Sequence, residues 1–171
     1  GVPIFVGCGN RDFLLGERFA RATGATLLPD FTVVDLHGVR TLLCHGDELC
    51  TDDTEYQAYR ARMRAPETQA RLLALPYFVR LGIAWWLRRR SGNENALKPE
   101  AIMDVTARAV VAALRDHRAR RLIHGHTHRP ARHELDVDGT RCERFVLADW
   151  HDRGHYLAVG ADGVHAHEVY G

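Results

Sequence analysis

Several features that would define a class of protein are missing from this sequence. The four cysteines form no Cys-x-x-Cys pair and are scattered, at Cys8, Cys44, Cys50 and Cys142. This spacing favours reduced thiols in a cytosolic protein over a disulfide scaffold, and we do not expect the thiols to bind metal. No run of roughly 18 to 20 apolar residues and no signal-peptide pattern occurs, so we expect no membrane-spanning segment.

A large net charge of either sign is missing as well. The 23 basic residues balance 22 acidic ones to a formal net charge of +1, and we expect no nucleic-acid partner on this ground. Internal repeats and low-complexity segments are also absent. The chain instead has 171 residues and 46% hydrophobic content. That is enough for one domain with a real core and too short for two domains of ordinary size.

The first part of the chain reads as an α/β pattern. Residues 3–8 predict a strand buried on both faces, and a helix follows over about 14–23. The apolar runs FTVVDL and VRTLLC are separated by His37 and Gly38, which predicts a hairpin. The second strand of this hairpin ends at the polar cluster HGD.

The second part of the chain combines helices with a strand-rich tail. A helical region runs from about residue 54 to 90, with interruptions at Pro66 and Pro76. The next helix is predicted to start at Pro99. Its apolar stripe is Ile102, Val105, Ala109 and Ala112. The run RLIHG predicts another strand, and Asp-Gly turns at 138–139 and 162–163 predict an antiparallel meander.

Three polar motifs follow predicted strands, namely GNRD at 9–12, HGD at 45–47 and HGHTHRP at 124–130. The last places three imidazoles on alternate positions, and Gly125 and Pro130 predict a loop in which they converge. A single histidine most often binds nothing. Three within five residues are instead typical of a metal site. Because side chains gather at strand ends in layered α/β proteins, one site could hold all three motifs.

In this order, the motifs resemble the later sequence blocks of the calcineurin-like metallophosphoesterases. The fuller strings GNRDFLLGERFA, HGDELCTDD and LIHGHTHRP resemble the UDP-2,3-diacylglucosamine diphosphatase family of lipid A biosynthesis, and the resemblance runs over nearly the whole chain. It implies an α/β protein with the four-layer αββα metallophosphoesterase fold over residues 1–171. A helical cap would be inserted at about 54–104.

The resemblance also implies a metal site. Its ligands for a pair of Mn²⁺ ions would be Asn10, His45, His126 and His128. Imidazole nitrogens and amide oxygens suit such cations, and two ions about 3.5–4 Å apart can activate water and neutralise a phosphoryl oxygen. His124 would lie behind the ligands, and Asp12 and Asp47 would orient ligands by accepting N–H protons.

The implied reaction is hydrolysis of the diphosphate of UDP-2,3-diacylglucosamine by attack of water on the α-phosphorus, which gives UMP and 2,3-diacylglucosamine 1-phosphate. Many members of the superfamily have His where this chain has Arg11, and that His can protonate a leaving alkoxide. A guanidinium cannot donate this proton at neutral pH, but a leaving phosphate does not need it. Arg11 would instead bind the diphosphate oxygens; a surface ion-pair residue is the alternative, and it is the less favoured one even without the resemblance.

The residues that the resemblance assigns to the reaction fall into two overlapping groups. The catalytic residues would be Asn10, Arg11 and His126. The substrate-binding residues would be Asn10, Arg11, Asp53, Ser91, Asn95, Lys98 and His126.

Basic and apolar side chains interleave within the predicted helical region. The arginines are Arg60, Arg62, Arg64, Arg71, Arg80, Arg88, Arg89 and Arg90, and the apolar residues are Leu72, Leu73, Leu75, Phe78, Ile83, Trp85 and Trp86. The pattern alone suits a solvated basic face over core as well as it suits an anionic membrane surface. The resemblance favours a cap that receives acyl chains. The protein would be cytoplasmic, and peripheral on the cytoplasmic face of the inner membrane of a Gram-negative bacterium.

Two departures from the family pattern leave other functions open. Cys8 stands before GN, where the family commonly has His. The family's first two ligand blocks, Asp-x-His on the opening strand and Gly-Asp on the second, are not in this sequence, so we expect the N-terminal part of the fold to be absent from this chain. The alternatives are a soluble nucleotide-diphosphate or phosphodiester hydrolase of the same superfamily, or a non-catalytic metal- or lipid-binding remnant.

Overall fold

The computed structural model describes residues 1–95, 104–151 and 153–169, and the side chains at 90–95 lie outside that description. The strands are β1 (Phe5–Gly7), β2 (Thr26–Leu28), β3 (Thr32–Leu36), β4 (Val39–Leu43), β5 (Arg121–His124), β6 (Ala131–Val137), β7 (Thr140–Val146), β8 (Gly154–Gly160) and β9 (Gly163–Val169). The helices are α1 (Glu17–Thr23), α2 (Thr54–Arg64), α3 (Pro66–Ala74), α4 (Tyr77–Asn95) and α5 (Ala107–Asp116), with a 3-10 turn at Asp47–Leu49.

The main sheet has five strands in the order β3-β4-β5-β7-β6. Its three central strands, β4, β5 and β7, are parallel, while β3 and β6 pair antiparallel at the two edges. Because β4 and β5 are parallel neighbours, their carboxyl ends reach the same edge of the sheet. The loops that follow these two strands carry the predicted histidines.

The core lies between this sheet and α5. Leu42 of β4 and Leu122 of β5 are fully buried, and they pack with Val110, Ala113 and Leu114 of the helix. Burial of such aliphatic side chains is the main source of stability in a fold of this size. The core therefore fixes β4 and β5, from which the two histidine-bearing loops extend.

Two predicted hairpins are confirmed at the level of the turn. His37 and Gly38 both have positive φ, at 54° and 78°, and Asp138 and Gly139 have φ of 53° and 79°. Two successive residues in this region define the type I′ turn, whose twist matches that of the flanking strands. The β8–β9 hairpin also forms, but its two-residue turn is Ala161–Asp162, one residue before the predicted Asp-Gly turn. It makes a separate two-stranded sheet, so the prediction of one continuous meander is wrong.

The first strand differs most from the prediction. Within the described part of the chain β1 pairs only with β2, in parallel, and Phe5 is 59% exposed. The prediction of a strand buried on both faces is therefore wrong. An apolar run gives β-propensity, but burial depends on the neighbours that the strand acquires.

Helix α1 begins later than predicted, and residues 104–106 just before α5 are not helical. α1 begins at Glu17 rather than near residue 14, because residues 12–15 form a turn closed by a bond from Leu15 N to Asp12 O. α5 begins at Ala107, where the side chain of Thr106 accepts a hydrogen bond from the Ala109 amide.

The apolar stripe predicted for this last helix is only partly correct. Val105 precedes α5, and the buried side chains of the helix are Val110, Ala113 and Leu114 rather than the predicted set. Ala109 is partly buried against the core. The predicted start at Pro99 and the stripe residue Ile102 lie outside the described residues.

The helical region divides where the prolines predict. α2 ends before Pro66, because Ala65 is extended with ψ of 131°, and α4 follows Pro76. None of the described helices is long and apolar enough to cross a membrane. The mixed α/β class is confirmed, and the four-layer arrangement and the role of these helices as a cap stay predictions.

Candidate active site

The loop after β1 contacts the loop after β4 at Gly9. This residue is buried, and a Cβ at this position would lie 2.7 Å from Cε1 of His45 and 3.0 Å from both of its ring nitrogens. Glycine is the residue that lets the backbone come so close to an imidazole. The Asp12 side chain accepts a hydrogen bond from the Gly9 amide and closes this loop.

The loops after β4 and β5 are joined through their backbones. The Gly125 amide donates to the His45 carbonyl at 2.9 Å, and a Cβ on Gly46 would lie 2.7 Å from Nδ1 of His124. Gly46 also has φ of 113°, a conformation that other residues rarely adopt. All three predicted motifs therefore lie together, with the GNRD loop reaching the other two from the separate β1–β2 sheet.

Two of the predicted ligands face each other. The ring centroids of His45 and His126 are 5.1 Å apart with their planes inclined by 67°. Tyr56 of α2 stacks on the other side of His126 at 6.1 Å. Nε2 of His45 is buried and has no hydrogen-bond partner among the described residues. Since a buried polar atom is normally paired, this nitrogen is available to a ligand.

The histidines of the site are held neutral by their surroundings. Burial lowers the pKa of His45, and burial together with the nearby His45 lowers the pKa of His126 to about 4. Burial also lowers the pKa of His124 to about 4. A neutral imidazole keeps the lone pair that a metal needs, so at pH 7 these rings are in the binding-competent form.

His124 lies behind the other two rings. It is almost fully buried at the end of β5, and its Nδ1 donates to the Gly125 carbonyl at 2.9 Å. Its Nε2 is buried without a partner among the described residues. The ring fills the space beside Gly46, which agrees with its predicted place behind the ligands.

Asp47 binds the helical region rather than a histidine. Its Oδ2 accepts hydrogen bonds from the hydroxyl of Tyr56 at 2.7 Å and from Nε of Arg60 at 2.9 Å. Burial alone would raise the pKa of Asp47, but hydrogen bonds from Glu48 and Tyr56 and the charge of Arg60 outweigh it and lower the pKa. These contacts link Asp47 to α2, and within the described residues Asp47 accepts no bond from an imidazole N–H.

Glu48 forms the protonated half of a buried carboxyl pair with Asp47. Burial and the hydrogen bond to Asp47 raise the pKa of Glu48 to about 8. Its Oε2 accepts from the Gly46 amide at 3.2 Å. Two similar groups in close contact separate their titrations, so near pH 7 Asp47 is charged and Glu48 is neutral.

The remaining predicted ligands lie at the rim of this site. Asn10 is half-buried beside Gly9. His128 is 54% exposed at its side chain, and its Nδ1 lies 3.4 Å from the Asp149 carboxylate. His126 and His128 have φ of 66° and 54°, so the backbone alternates through the left-handed region between the rings. Non-glycine residues adopt this conformation uncommonly, chiefly in turns and at functional sites.

The donor set partly fits a divalent cation. In the described ranges, no three His, Cys, Asp or Glu side chains form a group that could hold a metal ion. The facing pair His45 and His126 supplies two neutral imidazoles. Nε2 of His45 has no hydrogen-bond partner among the described residues, so it can act as a metal ligand. Imidazole suits Zn²⁺ and similar transition metals, whereas Mn²⁺ prefers oxygen ligands, which the amide of Asn10 could supply. Asn10 and His128 would complete the set from the adjoining loops.

The predicted substrate residues have different surroundings. Arg11 is exposed, and no carboxylate among the described residues pairs with it. Asp53 is buried and caps α2 by accepting from the Tyr56 amide at 3.0 Å. The side chains of Ser91 and Asn95, and the whole of Lys98, lie outside the described residues. Their contacts with a substrate stay predictions.

Sequence reasoning missed the residues that surround the histidines. The sequence pattern counts Arg60 and Arg64 among basic residues that face either solvent or a membrane, but their side chains are only 15% and 16% exposed and both pair with Asp30. The sequence patterns assign no role to Tyr56. The (i, i+4) spacing of Arg60 and Arg64 could have indicated a shared partner, because it places both side chains on one side of a helix.

Comparison with known proteins identifies the family. No protein-family model matches the chain. The chain is, however, 52% identical over 164 residues to proteins named UDP-2,3-diacylglucosamine hydrolase from Escherichia coli strains ED1a, CFT073 and HS. Each alignment covers 96% of this chain and 68% of the relative. The chain belongs to the UDP-2,3-diacylglucosamine hydrolase family.

Membership of the UDP-2,3-diacylglucosamine hydrolase family confirms two predictions. The family inferred from the ordered motifs is correct, and the relatives are named as hydrolases, which agrees with the predicted class of enzyme. The alignment spans the GNRD, HGD and HGHTHRP loops because it covers nearly the whole chain.

Proposed function

We propose that this chain hydrolyses the diphosphate bond of UDP-2,3-diacylglucosamine to UMP and 2,3-diacylglucosamine 1-phosphate. The family supports the reaction, since relatives 52% identical are named for this substrate. The observation that carries the proposal is the facing pair of His45 and His126, with Nε2 of His45 buried and unpartnered beside the Gly9 loop.

The proposed metal ligands are Asn10, His45, His126 and His128. A pair of Mn²⁺ ions held there would activate water for attack on the α-phosphorus and neutralise charge on the phosphoryl oxygens. The protein's own contribution is to keep the imidazoles neutral through burial and to hold their positions through Tyr56 and the glycines of the three loops.

Arg11 is proposed to bind the diphosphate oxygens. It is exposed next to Asn10 and, in the described part of the chain, no carboxylate occupies its guanidinium. A guanidinium stays charged at neutral pH and offers several donors in a fixed plane, which suits a diphosphate. The leaving group is a phosphate that departs without protonation, so the site needs no acid at this position.

The experiment compares substrates and traces the attacking oxygen. Purified protein with Mn²⁺ is given UDP-2,3-diacylglucosamine, UDP-N-acetylglucosamine and a simple phosphodiester in water enriched in ¹⁸O. We expect selective cleavage of the diacylated substrate and ¹⁸O in the UMP. Equal cleavage of both UDP-sugars would support a soluble nucleotide-diphosphate hydrolase, and cleavage of the phosphodiester alone a phosphodiesterase. Metal binding without any cleavage would support a non-catalytic protein.

The surface of α4 supports a membrane location. Phe78 and Trp85 are 74% and 63% exposed, and Tyr77 and Trp86 are also exposed. The guanidinium of Arg89 lies 5.5 Å from the ring of Trp85. Aromatic and basic side chains together bind the interface of an anionic bilayer. We infer that the helical region meets the acyl chains and that the protein is peripheral on the cytoplasmic face of the inner membrane.

A further inference from the structure

Two arginines of α2 share one carboxylate. Arg60 and Arg64 lie one turn apart, and both reach Asp30 in the turn between β2 and β3. Nη2 of Arg60 donates to Oδ2 of Asp30 at 2.7 Å, and Nη1 of Arg64 donates to Oδ1 at 2.6 Å. Each carboxylate oxygen therefore accepts a short, charge-assisted bond from a different guanidinium.

The other ends of the two guanidinium groups hold two different loops of the site. Nε of Arg60 donates to Asp47, two residues after His45, at 2.9 Å. Nη2 of Arg64 donates to the carbonyl oxygens of Cys8 and Gly9 at 3.0 and 3.2 Å. The ion chain, which we define as Asp47, Arg60, Asp30 and Arg64, thus joins the loop after β4 to the loop after β1.

This connection bears directly on the proposed ligands. Gly9 is in contact with the ring of His45, and Asn10 is the next residue along the chain. A loop held only by its own turn could move away from the imidazole, but the carbonyl oxygens of Cys8 and Gly9 are fixed from α2 by Arg64. The separation of Asn10 from His45 is therefore set by residues outside the three motifs.

The chemistry of the ion chain requires arginine. Arg64 spans Asp30 and two carbonyl oxygens at once, which uses the wide, planar set of donors of a guanidinium. Lysine at this position could satisfy one of these groups at a time. The neighbouring Arg62 has the same charge on the same helix but is exposed, so it provides a matched control.

We propose that Asp30, Arg60 and Arg64 are positioning residues that set the metal affinity of the site by fixing the loop of Asn10 against His45. This inference rests on the metal site of the proposed function. Supporting partners around metal ligands typically change metal affinity by about 10- to 100-fold when they are removed. An effect of this size is expected although none of the three residues is itself a proposed ligand.

The test measures binding of Mn²⁺ by titration calorimetry to the metal-free protein and to Arg64→Lys, Asp30→Asn and Arg62→Lys. We expect the first two variants to bind Mn²⁺ about 10- to 100-fold more weakly, and Arg62→Lys to bind within twofold of wild type. The double variant Arg64→Lys with Asp30→Asn should lose less affinity than the two single losses added together, because both changes break the shared Arg64–Asp30 contact.

Separate measurements distinguish positioning from stability. Unfolding temperatures of the metal-free variants identify a temperature at which every variant is folded, and binding is measured there. Lower unfolding temperatures combined with wild-type Mn²⁺ affinity would overturn the inference and leave the ion chain a purely structural feature. A wild-type protein that binds no Mn²⁺ would overturn the proposed metal site itself, whereas strong wild-type binding with unaltered variants overturns only the positioning role.

Discussion

Glu48 shows how one buried side chain can make stability depend on pH. Its side chain is 6% exposed, and its folded-state pKa is raised from 4.5 to about 8 by burial and by Asp47. The folded protein holds this proton at a pH where the unfolded chain has released it. The stabilisation is therefore complete below about pH 4.5 and is lost as the pH rises toward 8.

The variant Glu48→Gln should remove this pH dependence, because an amide does not ionise. Between pH 5 and 8 the free energy of unfolding of the wild type should fall relative to the variant by up to about 1.4 kcal/mol per pH unit, the slope for one proton. Urea denaturation at each pH measures it. The titration of Asp47 occurs in acid, outside this window. Parallel curves for the two proteins would show that Glu48 is ionised in the folded state.

Adding a single methyl group at Gly9 should disturb the proposed metal site. Gly9→Ala would place a Cβ 2.7 Å from the ring of His45, so the imidazole or the loop must shift. We expect Mn²⁺ affinity and turnover to fall by about 10-fold or more, in the range seen for displaced supporting groups. Gly7→Ala is the control, since its Cβ would meet nothing within 4 Å. Equal effects of the two changes would contradict a role of this contact.

Arg11 can be tested by a change that retains its charge. Arg11→Lys removes the planar pair of donors, and we expect turnover to fall by about 10- to 1,000-fold, the range for losing one oxyanion contact. Because Arg11 is exposed, the unfolding temperature should not change. Steady-state kinetics on UDP-2,3-diacylglucosamine measure the effect. Wild-type kinetics in this variant would show that Arg11 does not touch the diphosphate.

At the scale of elements, the predictable features are those that neighbouring residues determine. The turns at His37–Gly38 and Asp138–Gly139 are formed by the turn residues themselves, which adopt positive φ angles. Pro66 separates α2 from α3 through its own backbone geometry. The roles of Arg60 and Arg64 were misjudged because their partner Asp30 lies 30 and 34 residues away in the sequence. A charge pattern on a helix does not reveal which distant carboxylate will neutralise it.

The surface of α4 predicts a charge-dependent attachment to membranes. Changing Arg88, Arg89 and Arg90 together to Ser should release the protein from anionic vesicles and reduce the salt sensitivity of the remaining binding. Each basic residue near such a surface contributes about 1 kcal/mol at low salt. Vesicle co-sedimentation at several salt concentrations measures this.

Two controls accompany this experiment. The same loss of charge elsewhere, with exposed Arg18, Arg118 and Arg120 changed to Ser, should leave vesicle binding nearly intact. Hydrolysis of a short-chain, water-soluble substrate analogue should survive in the α4 variant, because the histidines are untouched. Unaltered vesicle binding together with loss of activity on the analogue would assign these arginines to the substrate pocket or to the fold.

At the scale of the whole molecule, the proposed metal would act as a stabilising ligand. Mn²⁺ at about 100 times its dissociation constant should stabilise the folded state by about 2.7 kcal/mol. Chelation should therefore lower the unfolding temperature of the wild type. It should have little effect on His126→Ala, which lacks one of the two facing imidazoles and should also be inactive. Thermal unfolding with and without EDTA, together with metal analysis, tests this. Unchanged metal content in the variant would refute the ligand assignment.

Some whole-molecule features could not be obtained from the pattern of the chain. The sequence predicts that three strand-end motifs meet, and Gly9, His45 and His126 do so, although β1 belongs to a different sheet from β4 and β5. It does not predict that Phe5 is exposed, since burial depends on which segments cover β1. Contacts between side chains that are distant in the sequence, such as the stacking of Tyr56 on His126, also depend on the packing of the complete fold.

The parallel pairing of β4 with β5 has a consequence for the order of folding. Thr41 pairs with Arg121, so forming this ladder closes a loop of about 80 residues. The hairpins at His37 and Asp138 join neighbouring segments and form on a microsecond timescale. Contacts between distant segments come later because of their entropic cost. The imidazole pair therefore forms only when the central ladder closes. Its formation marks the completion of folding and does not start it.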